Sequence, residues 1–168
     1  MNRSDILKAR KKSADRLRRR EENAAFQARI GNVVEKQSLS DLTIECDKLA
    51  SDLVRKITSA ETKGRCRFSA YGFCDGMVQC AFHFFRKSRS LKLRFDLRNI
   101  AGSCFSCNSA MENNEVPYWE YFVETRGHDL FDELARMSHE IVRGARTFLE
   151  AKKIELETML EVYDKTAI

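Results

Sequence analysis

The sequence predicts an α+β protein that is mostly helical, and three observations predict it. A third of its 168 residues are charged and it contains one proline and seven glycines, a composition poor in the residues that stop helices. Apolar residues recur at steps of three and four in two long stretches, 42–57 and 130–149. Five of the six cysteines fall between positions 66 and 107, in the one window where that helical periodicity fails.

Taken in order, residues 3–30 read as a helix whose apolar positions, Ile6, Leu7, Leu17, Phe26 and Ile30, are too sparse for a core face. The first twenty residues carry nine basic side chains against two acidic ones, although the whole chain is only +5. Such an arm can neutralise phosphates and bind nucleic acid without reading its sequence; the bland alternative is a solvated helical tail. Gly31-Asn32 permits a break. Ser38-x-Ser40-Asp41 then supplies helix-starting residues, and Leu42, Cys46, Leu49, Leu53 and Ile57 form the apolar stripe of a helix ending near Gly64. Cys46 lies on that stripe and reads as a small buried hydrophobe.

Beyond it, Gly72 and Gly76 punctuate short aromatic runs, and 78–85 and 91–95 read as strands. The basic turn Arg86-Lys87-Ser88-Arg89-Ser90 between them predicts a hairpin with positive charge at its tip. A short helix is expected at 108–114. A second is expected at 116–127, with Pro117 at its start and Trp119, Phe122 and Val123 packed. Residues 129–165 form one long helix or two, whose face of Leu130, Leu134, Met137, Ile141, Ala145, Phe148 and Leu149 packs on the 41–60 helix or pairs between subunits. The domain reading is a basic arm at 1–37, a core at 38–128 and a long C-terminal helix at 129–168. Met1 is followed closely by charge, and neither a secretory h-region nor a long apolar span follows, which predicts a cytoplasmic chain with reduced thiols and no membrane partner.

Reduced thiols at Cys104-x-x-Cys107 have the spacing at which a tight turn directs two thiolates onto one tetrahedral Zn²⁺ while a helix begins behind them. Upstream, Cys66, Cys74 and Cys80 are the candidates for the remaining two ligands, with Cys66 and Cys74 preferred. Cys80 is the rival donor, but it stands three residues before His83 in an expected strand, where alternation turns it away from the His face. The competing reading is a set of reduced structural cysteines.

Knuckle, hairpin, knuckle and helix, in that order, describe a treble-clef zinc finger. With His83 ending the first strand and Asn99 and Asn108 following, the arrangement resembles an HNH (ββα-metal) nuclease. In that resemblance His83 is the general base, Asn99 holds the His-bearing segment, and Asn108 helps hold a catalytic Mg²⁺ or Mn²⁺ separate from the structural Zn²⁺. Imidazole suits the role because its pKa lies near neutrality, and a hard cation offsets charge on the scissile phosphate. The run His83-Phe84, Leu93-Arg94-Phe95-Asp96, Asn99-Ile100, Cys104-x-x-Cys107-Asn108 and Asn113-Asn114, with Tyr118 or Tyr121 and Gly127, is similar to the phage recombination endonuclease family called NinG or Rap over about residues 45–135.

This resemblance implies a metal-dependent, structure-selective endonuclease that cuts branched DNA such as Holliday junctions or D-loops, working in the host cytoplasm if phage-encoded. A homodimer would match the symmetry of a four-way junction. Arg86, Lys87, Arg89, Lys92 and Arg94 are the expected DNA contacts, with Arg94 alternatively paired to Asp96 to fix the loop. The sequence departs from the family pattern at three places. Ser69 stands where a thiolate is expected, which leaves Cys74, Cys80 or Ser69 to complete the zinc shell. Phe82 replaces the Gly before the His, and Ala101 replaces the His after Asn-Ile. A second reading follows from those departures: a non-catalytic zinc-finger DNA-binding protein accessory to recombination. His128 and His139 are assigned no role.

Overall fold

The computed structural model of the protein describes residues 18, 19, 22, 37–71, 73–74 and 76–166. The chain divides into two compact units, Met1–Gln37 and Ser38–Ile168. The basic arm and the helix expected at 3–30 lie almost wholly outside the described residues.

The second unit opens with α1, Leu39–Thr62. Ser38 caps it by accepting from the Asp41 N–H, while its hydroxyl donates to the Asp41 carboxylate at 2.6 Å. Lys63, in the left-handed region at φ 55°, ends it. α1 buries Leu42, Cys46, Ala50, Leu53, Val54 and Thr58, in a core shared with Phe95, Ile100, Leu149 and Leu156. Leu149 and Leu156 belong to α6, Ala145–Thr166, so of the expected C-terminal face Phe148 and Leu149 pack on the first helix, whereas Leu130, Leu134 and Met137 join the aromatic core and Ile141 is exposed. That C-terminal stretch is two helices. α5, His128–Met137, stops where Ser138 caps it, and Gly144, at φ 72°, precedes α6.

The sheet has two antiparallel strands, β1, Cys80–His83, and β2, Ile100–Ser103, in register Cys80↔Ser103 through His83↔Ile100. The expected hairpin between 78–85 and 91–95 is therefore not formed. Leu91–Arg94 is a single helical turn, α2, followed by a 3₁₀ turn, Leu97–Asn99, and β1 pairs with the segment after it. The Leu-Lys-Leu-Arg-Phe run alternates like a strand, yet Leu93 and Phe95 are both buried, which a short helical turn followed by a bend also achieves. β2 wins the pairing because it is small. An added Cβ on Gly102 would lie 2.6 Å from Thr58 Cβ, and the Gly102 N–H donates to Thr58 Oγ1 at 3.1 Å, so the strand lies directly against α1.

On the other face of the sheet the core is aromatic. Phe82 packs at 4.8 Å from Phe68 and 5.2 Å from Tyr118, and Phe84 at 4.7 Å from Phe122 (centroid distances). Tyr118 and Phe122 come from α4, Val116–Arg126, with Pro117 in its first turn. α3, Phe105–Asn113, connects β2 to α4. No helix among the described residues is long and apolar enough to cross a membrane.

Candidate metal centre and adjoining cleft

Four of the six thiols converge. The Sγ atoms of Cys66, Cys74, Cys104 and Cys107 all lie within 4.8 Å of one another, and Cys104 and Cys74 are 3.6 Å apart. Tetrahedral thiolates around zinc stand about 3.8 Å apart, given Zn–S bonds of about 2.3 Å. The donor set therefore fits a structural metal such as zinc.

Local structure builds each half. The loop carrying Cys66 and Cys74 is closed by the antiparallel bridge Arg65↔Met77 and by the Cys66 N–H donating to the Gly76 carbonyl at 2.8 Å. Gly76 must be glycine for the loop to reach the second pair: a Cβ there would sit 2.7 Å from Cys104 Cβ. Cys104 is the N-cap of α3, and its Sγ accepts from the Cys107 N–H at 3.4 Å. Cys74 thus stands where the fourth donor was sought. Ser69 is committed elsewhere, its hydroxyl donating to the Cys66 carbonyl at 2.8 Å. Cys80 faces Ser103, 3.5 Å from its carbonyl, and Cys46 is buried in the α1 core.

Burial pushes the Cys66 thiol up to about 11 and raises Cys107, and the neighbouring thiol groups add to both. For Cys104 burial acts upward too, but the Cys107 N–H and the surrounding thiols bring it below the ordinary thiol value. Such a cluster resists ionising together unless a cation joins it.

His83, at the end of β1, lies on the opposite face from Phe82. Its Nε2 lies 3.1 Å from the Arg94 carbonyl, to which an Nε2–H donates, leaving Nδ1 as the basic nitrogen. Burial is the main influence holding the imidazole below its usual pKa, so it is neutral at neutral pH. His83 lines a cleft of about 230 Å³ together with Ala81, Arg86, Lys87, Asn108, Met111 and Glu112. Asn108 was expected here. Glu112 was not, although Asn108-x-x-x-Glu112 is the spacing that aligns two side chains on one side of a helix.

Asn99 is fully buried and does not line the cleft. Its amide oxygen accepts from the Phe85 N–H at 2.8 Å, and its Nδ2 donates to the carbonyls of Phe85 and Leu93 at 2.9 and 3.0 Å. It therefore clamps the segment leaving His83 to α2 and to the end of the 3₁₀ turn. Asn99→Ala leaves the buried Phe85 N–H and carbonyl unpaired, while the Leu93 carbonyl still accepts from the Asp96 N–H, and is expected to lower stability by about 3 kcal/mol, read from urea unfolding of the two proteins. A loss below about 0.5 kcal/mol would remove the clamp.

The basic residues divide. Arg94 is committed to Asp47 of α1 in a bidentate pair of 2.8 and 2.5 Å, while its carbonyl holds His83, so it positions the imidazole and its guanidinium is engaged within the fold. Asp96 pairs with Arg98, not Arg94, and caps the 3₁₀ turn. Lys92 is bonded to Glu140 on the far side of α2. Arg86 and Lys87 line the cleft with weaker ion pairs to Glu115 and Asp47, at 3.2 and 3.8 Å. Arg89 is exposed and unpaired among the described residues.

Phe82 is buried in the aromatic core and Ala101 is its cross-strand partner, so both lie on the face of the sheet away from His83. Neither narrows the cleft.

Comparison with curated proteins and with solved structures gave no match. A family model described as the bacteriophage lambda NinG protein matches residues 1–165, from the basic arm through the thiol cluster and cleft to the last helix. The chain therefore belongs to the NinG family.

Proposed function

We propose that this protein is a metal-dependent endonuclease of HNH type that cuts branched DNA during phage recombination. The observation that carries the reading is the convergence of a neutral His83, fixed through Nε2, with Asn108, Glu112, Arg86 and Lys87 on one cleft beside a four-thiol cluster. The thiols of Cys66, Cys74, Cys104 and Cys107 would hold a structural Zn²⁺ that fixes the start of α3 relative to β1.

Phosphodiester hydrolysis needs a base for water and a means of bearing charge on the phosphate. His83 Nδ1 takes the proton of the attacking water; the P–O3′ bond breaks, the departing 3′-oxygen takes a proton from solvent to leave a 3′-hydroxyl, and the product keeps a 5′-phosphate. Asn108 and Glu112, oxygen donors one helical turn apart, would hold a divalent Mg²⁺ or Mn²⁺, whose charge stabilises the phosphate oxygens. Arg86 and Lys87 contact flanking phosphates. Asn99 and Arg94 act from behind, holding the His83 segment and its ring. A pair of chains related by a twofold axis would match the symmetry of a four-way junction. The accessory-protein reading drew on Phe82 and Ala101, and their placement away from the cleft favours the enzyme.

Incubation of the full chain with a labelled four-way junction and a matched linear duplex, with and without Mg²⁺, tests this. Junction-selective, Mg²⁺-dependent cutting is expected. Binding with no cutting in either Mg²⁺ or Mn²⁺ would replace the enzyme by the accessory protein.

A further inference from the structure

Phe105 opens α3 with its ring in solvent. It is 64% exposed, more than any other described phenylalanine, and has no aromatic partner among the described residues. Phe68, Phe82, Phe84 and Phe122, by contrast, all stack within the core. One exposed apolar side chain is ordinary on a protein surface. Its position here is less so. Steps of three and four put Phe105, Asn108 and Glu112 along one side of α3, and the last two line the cleft with His83, Arg86 and Lys87. An unpartnered ring thus stands one helical turn from the cleft. Its backbone is anchored: the Phe105 N–H donates to Gln79 Oε1 at 3.5 Å, and the Gln79 N–H donates to the Ser103 carbonyl at 2.8 Å. The residue before it, Cys104, belongs to the thiol cluster.

We propose that Phe105 is the specificity-determining contact of this site, stacking on a nucleobase that has one face uncovered, next to the phosphate that enters the cleft. This assignment rests on the nucleic-acid reading above and deepens it. Arg86 and Lys87 recognise phosphate, which duplex and branched DNA share, so they cannot separate the two. A base inside a duplex has both faces covered by its neighbours. At a branch point or in a single-stranded segment one face is free, and an aromatic ring gains a stacking interaction there alone. The preference for branched DNA then arises from a side chain beside the reacting phosphate, without any reading of sequence.

The test is the affinity of full-length wild type, Phe105→Ala and Phe105→Trp for a fluorescent four-way junction and for a matched linear duplex, without added divalent ion, so that no cutting intervenes. Wild type should prefer the junction. Phe105→Ala should bind the junction on the order of tenfold more weakly with duplex binding unchanged, and Phe105→Trp should restore the preference. Equal loss on both substrates, an unchanged junction affinity, or a wild type without preference would overturn the assignment. A Phe105-dependent preference in a protein that fails to cut in Mg²⁺ supports the assignment and counts against the nuclease reading alone.

Discussion

Cys104→Ser is expected to strip the protein of zinc and to unfold the segment built around the four thiols. Metal analysis of the full chain should find one zinc per wild-type molecule and well below one per variant. The expected effect is large because the cluster carries two jobs. It closes the 65–77 loop, whose described residues form a single bridge pair and a short 3₁₀ turn, and it fixes the first turn of α3. Zinc binding in small metal-folded domains is worth about 10–16 kcal/mol, against a total stability of about 5–15 kcal/mol for an ordinary domain. Loss of one ligand should therefore lower the midpoint of thermal unfolding sharply and remove the near-ultraviolet signal of Phe68 and Tyr118, which pack at 4.9 Å beneath the site. Cys46→Ser and Cys80→Ser serve as controls, since Cys46 is buried against the Leu149 carbonyl and Cys80 faces Ser103. Both should keep their zinc. A wild type isolated free of metal, with the same unfolding midpoint as Cys104→Ser, would sink the metal centre. The raised pKa values of Cys66 and Cys107 add a second signature: zinc must displace protons that burial holds on, so apparent affinity should fall as pH falls.

What the sequence made legible follows from the range of each interaction. α1 could be read from its apolar stripe, and α3 and α4 from the Cys-x-x-Cys turn and Pro117, because spacing along the chain fixes these. Cys74 could be preferred over Cys80 on strand alternation alone. The strand pairing could not be read. Residues 91–95 alternate and 100–103 do not, yet the requirement that Gly102 press on Thr58, forty-four residues earlier, selects the second. The partner of Arg94 was hidden for the same reason: nothing local says that Asp47 waits for its guanidinium. Glu112 was a different kind of miss, since Asn108-x-x-x-Glu112 was in view and wanted only the helical spacing to be applied past the knuckle.

His83→Ala is expected to reduce junction cleavage by about a hundred- to ten-thousandfold while leaving junction affinity unchanged. The ring lines a cleft and is hydrogen-bonded through Nε2 to a main-chain carbonyl, so its removal deletes one proton acceptor and no phosphate contact. Arg86 and Lys87 remain to bind. Cutting rates under single-turnover conditions, with affinity measured in parallel, separate the two effects. Retention of most of the activity by His83→Ala would remove His83 as the base. The pH profile supplies the sign. Burial, the larger influence, lowers the imidazole's pKa, and the Arg94 carbonyl opposes it only in part. The base form is then present at neutral pH and is lost only when the pH drops below the ordinary imidazole value of about 6.5. Wild-type cleavage should accordingly be level from neutral pH upward and decline only on the acid side of that value. The residual activity of His83→Ala should lack this decline. A wild-type rate still climbing well above neutral pH would assign the proton transfer to another group and leave His83 a structural residue tied to Arg94.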